Sequence, residues 1–281
     1  MRKTHKAIKY TLLAVAIAVG IVWTGSHREK APLSGEPRSY EGIKASGVLR
    51  AVTEYNAISY HVAGDTVQGF DYELLHEFAE AQGLRLEITP EMSYEERLKG
   101  ILQGQYDVLA TGTLVTTRSK DSLLFTHTLA LGKQVLVQRK PKDENDSTYI
   151  KNPLELAHKT LYITENSPAL LRIHNLMNEI ADTIYIKEIK VTNTCEAEQR
   201  EQLMAMVAGG DIPYTVCDES IAQASIGDFP ELDIQTGIGF TQLYAWGVSK
   251  TSTELADSLN AWLDKYTKTN DYKKLYKKYF N

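Results

Sequence analysis

Residues 69–89, GFDYELLHEFAEAQGLRLEIT, contain a helix pattern followed directly by a strand pattern. The first part predicts a helix over 70–82, because its apolar residues recur at helical spacing: Phe70, Leu74, Leu75 and Phe78. Gly83 ends this helix, since glycine tolerates the left-handed conformation that follows a helix C-terminus. Residues 84–89 alternate between apolar and polar side chains, as a half-buried strand does. The stretch therefore predicts one helix and one strand of a βαβ unit.

The same alternation extends on both sides of this stretch. VLRAVT (48–53) predicts the preceding strand, and YDVLAT (106–111) predicts a third one. Between them, Ser93 and Glu96 form a capping box that opens a helix ending near Leu102. Strands that alternate with helices of this length indicate an α/β fold with a mainly parallel sheet.

A second α/β unit begins after Pro141. Strands are predicted at 160–164, 183–191 and 214–218, with helices that open at Ser167-Pro168 and near Glu196. A further strand (242–250) follows, and then come a helix capped by Thr251 with Glu254 and a last short helix. These two helices have no sheet of their own, so we expect them to return to the first unit. We therefore predict two lobes joined by two chain crossings: residues 44–131 with 243–281, and residues 132–242.

The N-terminus has the pattern of an export segment. Arg2, Lys3, Lys6 and Lys9 precede an uninterrupted apolar run, TLLAVAIAVGIVW (11–23). Because no clear cleavage site follows, two outcomes stay open for residues 1–25: a signal peptide that is removed, or an anchor in the inner membrane. Residues 26–43 are polar and contain Pro and Gly, which predicts a flexible linker. In either case we expect the body of the protein in the periplasm.

Charge and composition exclude several classes of protein. The chain of 281 residues is 43% hydrophobic and 24% charged, which excludes a disordered or low-complexity chain. Its net charge is −5; residues 1–30 carry a net charge of +5, so the rest of the chain carries −10 and the body is acidic. An acidic body argues against nucleic acid as a partner.

Metal and cofactor sites are not predicted. The seven histidines are scattered, and the sequence has no metal-ligand spacing such as C-x-x-C or H-E-x-x-H. The two cysteines, Cys195 and Cys217, are compatible with a disulfide in an exported protein and equally with two buried thiols.

Polar residues follow the predicted strands of both lobes. They include Glu54 and Tyr55, Thr111 and Thr113, Ser167, and Asp218. Ligands of open parallel sheets bind at the carboxyl ends of strands, near helix N-termini. We therefore expect these residues to converge on a cleft between the lobes.

Six short motifs in order give the chain a family resemblance. They are Gly47-Val-Leu-Arg50, Gly69-Phe-Asp-Tyr-Glu-Leu74, Leu102-Gln-Gly-Gln-Tyr-Asp107, Thr113-Leu-Val-Thr-Thr-Arg118, Asp218 after its strand, and Tyr276-Lys-Lys-Tyr-Phe280. With these motifs the chain resembles the bacterial extracellular solute-binding proteins of family 3, and within them the binding-protein half of membrane-bound lytic transglycosylase F. The resemblance implies a two-lobed type II periplasmic-binding-protein fold with the ligand cleft between the lobes.

The resemblance also assigns roles to residues. It implies that Arg118 clamps a ligand carboxylate, with Thr113, Thr111 and Ser167 beside it, because a guanidinium matches the two oxygens of a carboxylate. It implies that Asp218 accepts the ligand's ammonium group, that Glu54 contacts the ligand's side chain, and that Tyr55 or Tyr60 offers that side chain an apolar wall. Asp218 also has a simpler interpretation, as the cap of the helix that follows it.

These implications predict an exported, non-enzymatic protein that closes on an amino acid or a short peptide, for uptake with an ABC permease or for sensing. The printed sequence ends at Asn281 without a lysozyme-like domain, which is the basis for expecting no catalysis. Two alternatives stay open. One is a membrane-tethered regulatory module that works with a cell-wall enzyme. The other is a lyase of the cyclohexadienyl dehydratase type, with Glu54, Glu165 or Glu219 as its general acid.

Overall fold

The computed structural model describes residues 35–115, 117–165, 167, 169–190 and 199–280, with the backbone alone at 113–114, 117–118 and 199–200. The predicted export segment and Cys195 lie outside these residues, so the predictions made for them stay predictions. No helix in the described ranges is long and apolar enough to cross a membrane.

The described residues form an α/β fold. Its strands are β1 Val48–Thr53, β2 His61–Ala63, β3 Thr66–Gln68, β4 Arg85–Pro90, β5 Val108–Leu114, β6 Leu123–Phe125, β7 Ala130–Gly132, β8 Gln134–Arg139, β9 Thr160–Thr164, β10 Tyr185–Ile189, β11 Tyr214–Asp218, β12 Leu232–Asp233 and β13 Gln242–Ser249. Its α-helices are α1 Tyr40–Ser46, α2 Phe70–Ala81, α3 Tyr94–Leu102, α4 Thr117–Ser122, α5 Ala169–Ile180, α6 Gln199–Gly209, α7 Glu219–Ser225, α8 Thr253–Tyr266 and α9 Asn270–Phe280.

Two sheets organise the fold, and β2 with β3 makes a separate small hairpin. In the first sheet β1 lies between β4 and β5 and pairs in parallel with both. The late strand β13 joins this sheet antiparallel to β5, and β6 and β7 pair with β13. In the second sheet β10, β9 and β11 are parallel, and β8 and β12 are antiparallel additions. The predicted α/β class is confirmed, and each sheet is mixed, with three parallel strands.

The chain crosses between the sheets twice. Lys133 alone separates β7 of the first sheet from β8 of the second. Residues 234–241 lead back from β12 to β13. An antiparallel bridge between Val135 and Gly237 pairs the outgoing and returning segments, so the two crossings lie side by side.

Helix α2 packs its apolar face into the core as its periodicity predicts, and all four of its periodic apolar residues are at most 1% exposed. Trp246 of β13 is completely buried in the same core. The last helix, α9, packs on α2, where the Phe70 ring meets the Phe280 ring with 4.9 Å between the centroids. The Gly69 N–H donates to the Tyr279 hydroxyl (2.7 Å), which fixes the end of the chain against the start of α2.

Part of the predicted linker is folded, and this corrects the range 26–43. Helix α1 begins at Tyr40, and the Ser39 hydroxyl caps it by accepting from the Gly42 N–H (3.1 Å). The Arg38 guanidinium pairs with the buried Asp107 carboxylate, which also accepts from the Arg50 N–H (2.8 Å). Local composition does not predict this contact, because the two partners are 69 residues apart.

The predicted cap of α8 is also wrong. The helix begins at Thr253 with Ser252 at its N-cap position, so Thr251 lies outside it. The Thr251 N–H donates instead to the Ser249 hydroxyl (3.3 Å). A turn after β13 therefore uses the residue that the sequence pattern assigned to the cap.

Candidate functional site

A central cavity of about 600 Å³ is lined by residues of both sheets and their helices. Cavities of this size are typical of small-molecule sites. We call the side with Glu54, Asp71, Arg97 and Thr111 the first-sheet wall. We call the side with Gln134, Ser167 and Asp218 the second-sheet wall.

A buried ion pair forms part of the first-sheet wall. Glu54 directly follows β1, and its carboxylate lies 3.5 Å from the Arg97 guanidinium of α3. Both residues are buried, with 4% and 2% exposure. The guanidinium also donates to the main-chain carbonyls of Glu91 (2.6 Å) and Met92 (2.8 Å). These contacts fix the cation in place, as a buried charge requires.

Asp71 is a second buried acid of this wall. Its carboxylate accepts from the Trp246 indole N–H (2.7 Å). Burial raises the pKa of Asp71 to about 6, and the negative charge of Glu54 adds to the shift. The hydrogen bonds from Trp246 and from the Ser59 hydroxyl act in the opposite direction. Asp71 therefore changes its charge close to neutral pH.

Short-range hydrogen bonds hold the loop after β1 against the cavity. The Asn56 side-chain oxygen accepts from the N–H groups of Ile58 (2.9 Å) and Ser59 (2.7 Å). The Ser59 and Thr111 hydroxyls lie 3.2 Å apart. Thr111 is thereby placed in the wall at the carboxyl-terminal part of β5, as the sequence pattern predicts.

Asp218 projects from the second-sheet wall at the end of β11. One of its carboxylate oxygens accepts from the Ser220 N–H (3.1 Å) and hydroxyl (2.6 Å), so Asp218 does cap helix α7. The other oxygen accepts from the Tyr244 hydroxyl. Because Tyr244 belongs to β13, this hydrogen bond joins the second sheet to the first.

The Tyr244 ring lies against two glycines, and only one of them has to be a glycine. A Cβ atom on Gly132 would lie 2.2 Å from Cε2 of the ring, whereas one on Gly112 would lie 3.6 Å from its Cγ. Only a residue without a side chain fits at position 132 while the ring keeps this position. Gly132 of β7 thus allows the Tyr244 ring to take the position from which its hydroxyl reaches Asp218.

Ser167 lies just before α5 in the second-sheet wall. Its hydroxyl accepts from the Ala169 N–H (3.2 Å), which places it at the helix start as the sequence predicts. Glu54, Thr111, Ser167 and Asp218, which sequence reasoning singled out separately, all line the central cavity.

Three further residues predicted from the sequence, Tyr55, Thr113 and Arg118, are not among the described residues that line the cavity. Tyr55 lies outside the cavity wall: its ring packs edge-on against Tyr60, and its hydroxyl accepts from the Val62 N–H (3.2 Å). Successive residues of an extended segment point to opposite sides, so Glu54 facing inward turns Tyr55 away. The side chains of Thr113 and Arg118 are outside the described residues, so their roles stay predictions.

Sequence reasoning missed Arg97, Asp71 and Tyr244. Arg97 lies in a polar helix where a cation usually faces solvent, and only the buried Glu54 beside it gives it another role. Asp71 lies between Phe70 and Tyr72 at the start of a helix. An acid between two aromatic residues is the one local feature of the sequence that indicates its burial. Tyr244 has no local signal, because its partner lies on the other sheet.

Metal binding finds no support in the described ranges, where no group of three or more His, Cys, Asp and Glu residues could hold an ion. Cys217 is buried in the cavity wall. The suggested bridge to Cys195 stays a prediction, because that residue is outside the described ranges.

Comparison with known proteins identifies the family. The family model for bacterial extracellular solute-binding proteins, family 3, matches residues 49–281. The chain belongs to this family. The match takes in all the described strands except the first residue of β1, and both walls of the central cavity.

Curated relatives of the chain carry the name membrane-bound lytic murein transglycosylase F. The one from Desulfosudis oleivorans is 27% identical over 281 residues, which are 100% of this chain and 58% of that protein. The one from Aeromonas hydrophila subsp. hydrophila is 29% identical over 214 residues, 75% of this chain and 40% of that protein. The chain thus spans about half the length of the curated relatives it matches. The resemblance predicted from the six motifs is confirmed.

Solved structures of other proteins share the fold. The P235GK mutant of ArgBP from T. maritima aligns with a TM-score of 0.71 at 23% identity, covering 85% of this chain and 98% of that one. AncCDT-1, described as an ancestral amino acid-binding protein and a precursor of cyclohexadienyl dehydratase, aligns with a TM-score of 0.69 at 20% identity, covering 86% and 99%. These likenesses confirm the two-lobed fold.

Proposed function

We propose that this family 3 protein binds a small zwitterionic solute, an amino acid or a short peptide of the muropeptide type, in the central cavity. The observation that carries the proposal is the Asp218 carboxylate, which projects from the second-sheet wall into a cavity whose opposite wall is polar and buried. Solved structures with the same fold are described as arginine-binding and amino acid-binding proteins, which supports this class of ligand.

Opposite charges orient such a solute. Asp218 accepts the ligand's ammonium group, and Arg118 with Thr113 holds its carboxylate, as the family resemblance implies. Thr111 and Ser167 add hydroxyls on the two walls. Charge-assisted hydrogen bonds in a cavity from which water is excluded supply an affinity of order micromolar, about −8 kcal/mol. Closure of the lobes around the solute favours the bound state.

The test compares Arg118→Ala with Lys120→Ala, which removes an exposed cation from the same short helix. Titration calorimetry with the twenty L-amino acids, and with any small molecule that copurifies with the protein, first identifies a solute. We expect Arg118→Ala to weaken its binding about 100-fold, because a bidentate charged contact is lost. Lys120→Ala should bind like the wild type. Equal binding by both variants contradicts the clamp.

We propose a binding protein without catalytic activity, delivering its solute to an ABC permease or acting as a sensor. The lyase alternative receives little support from its three candidate acids. Glu54 is ion-paired with Arg97, Glu219 lies 3.1 Å from Lys133, and Glu165 is exposed. Turnover of prephenate or arogenate by the pure protein, followed by ultraviolet absorbance of the aromatic product, would overturn this assignment.

A membrane-tethered sensor of cell-wall metabolism remains the second candidate function. The cationic and apolar N-terminal segment favours it, and so does the name "membrane-bound" carried by the curated relatives. Fractionation of cells that produce the full chain separates the two roles. A sensor stays with the inner membrane after a salt wash, whereas a shuttle for an ABC permease appears in the periplasmic fluid with a shortened N-terminus.

A further inference from the structure

Gln134 occupies a special place in the second-sheet wall. It is the first residue of β8, directly after the crossing at Lys133, and it is 7% exposed and lines the central cavity. The antiparallel register of β8 and β11 places it opposite Asp218. Side chains at directly opposite positions stand on the same face of a sheet about 5 Å apart. The Gln134 carboxamide is therefore a neighbour of the Asp218 carboxylate.

The Gln134 side chain differs from a second glutamine on the same strand. The side-chain oxygen of Gln138 accepts from the Ile150 N–H (2.9 Å), and its nitrogen donates to the Ile150 carbonyl (2.8 Å). Within the described ranges, by contrast, the Gln134 side-chain oxygen is buried without a hydrogen-bond partner. Buried polar groups are nearly always bonded, so an exception in a cavity wall points to a ligand.

Asp218 has little acceptor capacity left for a cationic group. A carboxylate offers about four acceptor positions. In Asp218 three are occupied, by the N–H and hydroxyl of Ser220 and by the hydroxyl of Tyr244. An ammonium group has three N–H donors, so it needs acceptors in addition to Asp218. The Gln134 oxygen has no partner among the described residues, and its residue lies directly opposite Asp218, so it is an available acceptor on the same wall.

We propose that Gln134 is a further ligand-binding residue, whose side-chain oxygen accepts a hydrogen bond from the same donor group of the solute that Asp218 binds. This inference rests on the proposed function and adds one requirement to it. The solute must present at least two N–H donors at the second-sheet wall, as an ammonium or guanidinium group does. Gln134 then sets how strongly the site prefers such a group over one with a single donor.

The experiment compares Gln134→Met with Gln138→Met as its control. Both variants replace a glutamine of β8 by methionine. Gln134→Met should keep the thermal midpoint Tm of the wild type. It should bind the amino acid that the wild-type protein binds about tenfold more weakly, which corresponds to about 1.4 kcal/mol. Gln138→Met should lower Tm by several degrees, because it leaves the buried Ile150 N–H unpaired, whereas the Ile150 carbonyl keeps the Thr236 hydroxyl as a donor. Gln134→Glu keeps the acceptor oxygens and should bind at least as tightly as the wild type.

Three results would overturn the inference. In the first, Gln134→Met loses as much Tm as Gln138→Met, which makes Gln134 a structural residue. In the second, the wild type binds an amino acid and Gln134→Met binds it equally well. In the third, Gln134→Glu binds as weakly as Gln134→Met, which shows that no oxygen is needed there. A wild type that binds none of the twenty amino acids and yields no copurifying solute instead contradicts the proposed function itself, and the inference with it.

Discussion

Glu54 and Asp71 lie close together in the first-sheet wall, and different groups compensate for their burial. Glu54 has a cation, Arg97, at 3.5 Å. Asp71 has the neutral donors Trp246 and Ser59, and its pKa is raised to about 6. Folding therefore disfavours the charged form of Asp71 relative to the unfolded chain, and the stability of the fold depends on pH through this residue.

Asp71→Asn should remove this dependence. The folded pKa of Asp71 lies above its ordinary value of 3.8, so the acid stabilises the fold below about pH 4. That stability is lost as the pH rises through about 6, and the change amounts to about 3 kcal/mol. Urea unfolding between these pH values should show the wild type losing this stability relative to Asp71→Asn. Asp257→Asn, an exposed change on α8, should follow the wild type. Parallel curves for wild type and Asp71→Asn would contradict the assigned pKa.

Strand ends explain which site residues the sequence could predict. Glu54 and Asp218 lie at the carboxyl ends of apolar strands, and this local pattern is visible without a structure, whereas β5 runs three residues beyond Thr111, where the sequence predicts its end. Arg97 and Tyr244 are different, because the polar contact that each makes in the cavity wall is with a residue distant in the chain. A contact between residues far apart in the chain does not appear as a periodic pattern in the sequence.

At the level of whole elements, β13 holds the first sheet together. It pairs with β5 on one edge and with β6 and β7 on the other, and it carries both Trp246 and Tyr244. Its eight-residue apolar pattern was predictable. The strands β6 and β7, with three residues each, and β12, with two, are too short for a period and exist through their pairing with longer strands.

The glycines on either side of Tyr244 give a matched pair of substitutions. Gly132→Ala places a methyl group where the ring lies, and we expect it to reduce the free energy of unfolding by about 1–3 kcal/mol. Gly112→Ala makes an ordinary van der Waals contact and should cost less than 1 kcal/mol. Urea denaturation of both variants measures the difference. Equal losses would show that the ring does not need the space at position 132.

For the molecule as a whole, the Tyr244–Asp218 hydrogen bond is a polar link between the two sheets. It lies beside the central cavity, and one of its partners is the acid that we propose for ligand binding. The same carboxylate serves the contact between the sheets and the cap of α7, and under our proposal it serves the solute as well.

Tyr244→Phe keeps the ring against the glycines and removes the hydroxyl that makes this link. We expect the free energy of unfolding to fall by about 2 kcal/mol, since a hydrogen bond to a charged group is lost. Tyr185→Phe, on an exposed tyrosine of β10, should leave it unchanged. Combined with Asp218→Asn in a double-mutant cycle, Tyr244→Phe should show a coupling energy above about 0.5 kcal/mol. A cycle without coupling would mean that the hydroxyl and the carboxylate do not interact in solution.

The late position of β13 in the chain affects the order in which the two sheets can form during synthesis. The strands β5, β6 and β7 leave the ribosome long before their shared partner, which begins only at Gln242. Until that partner is synthesised, β5 has an open edge of the kind that pairs with other chains. The second sheet, at residues 134–233, has all its strands earlier. A nascent chain that stops before residue 242 therefore has a complete second sheet and an incomplete first one, and is prone to aggregate through β5.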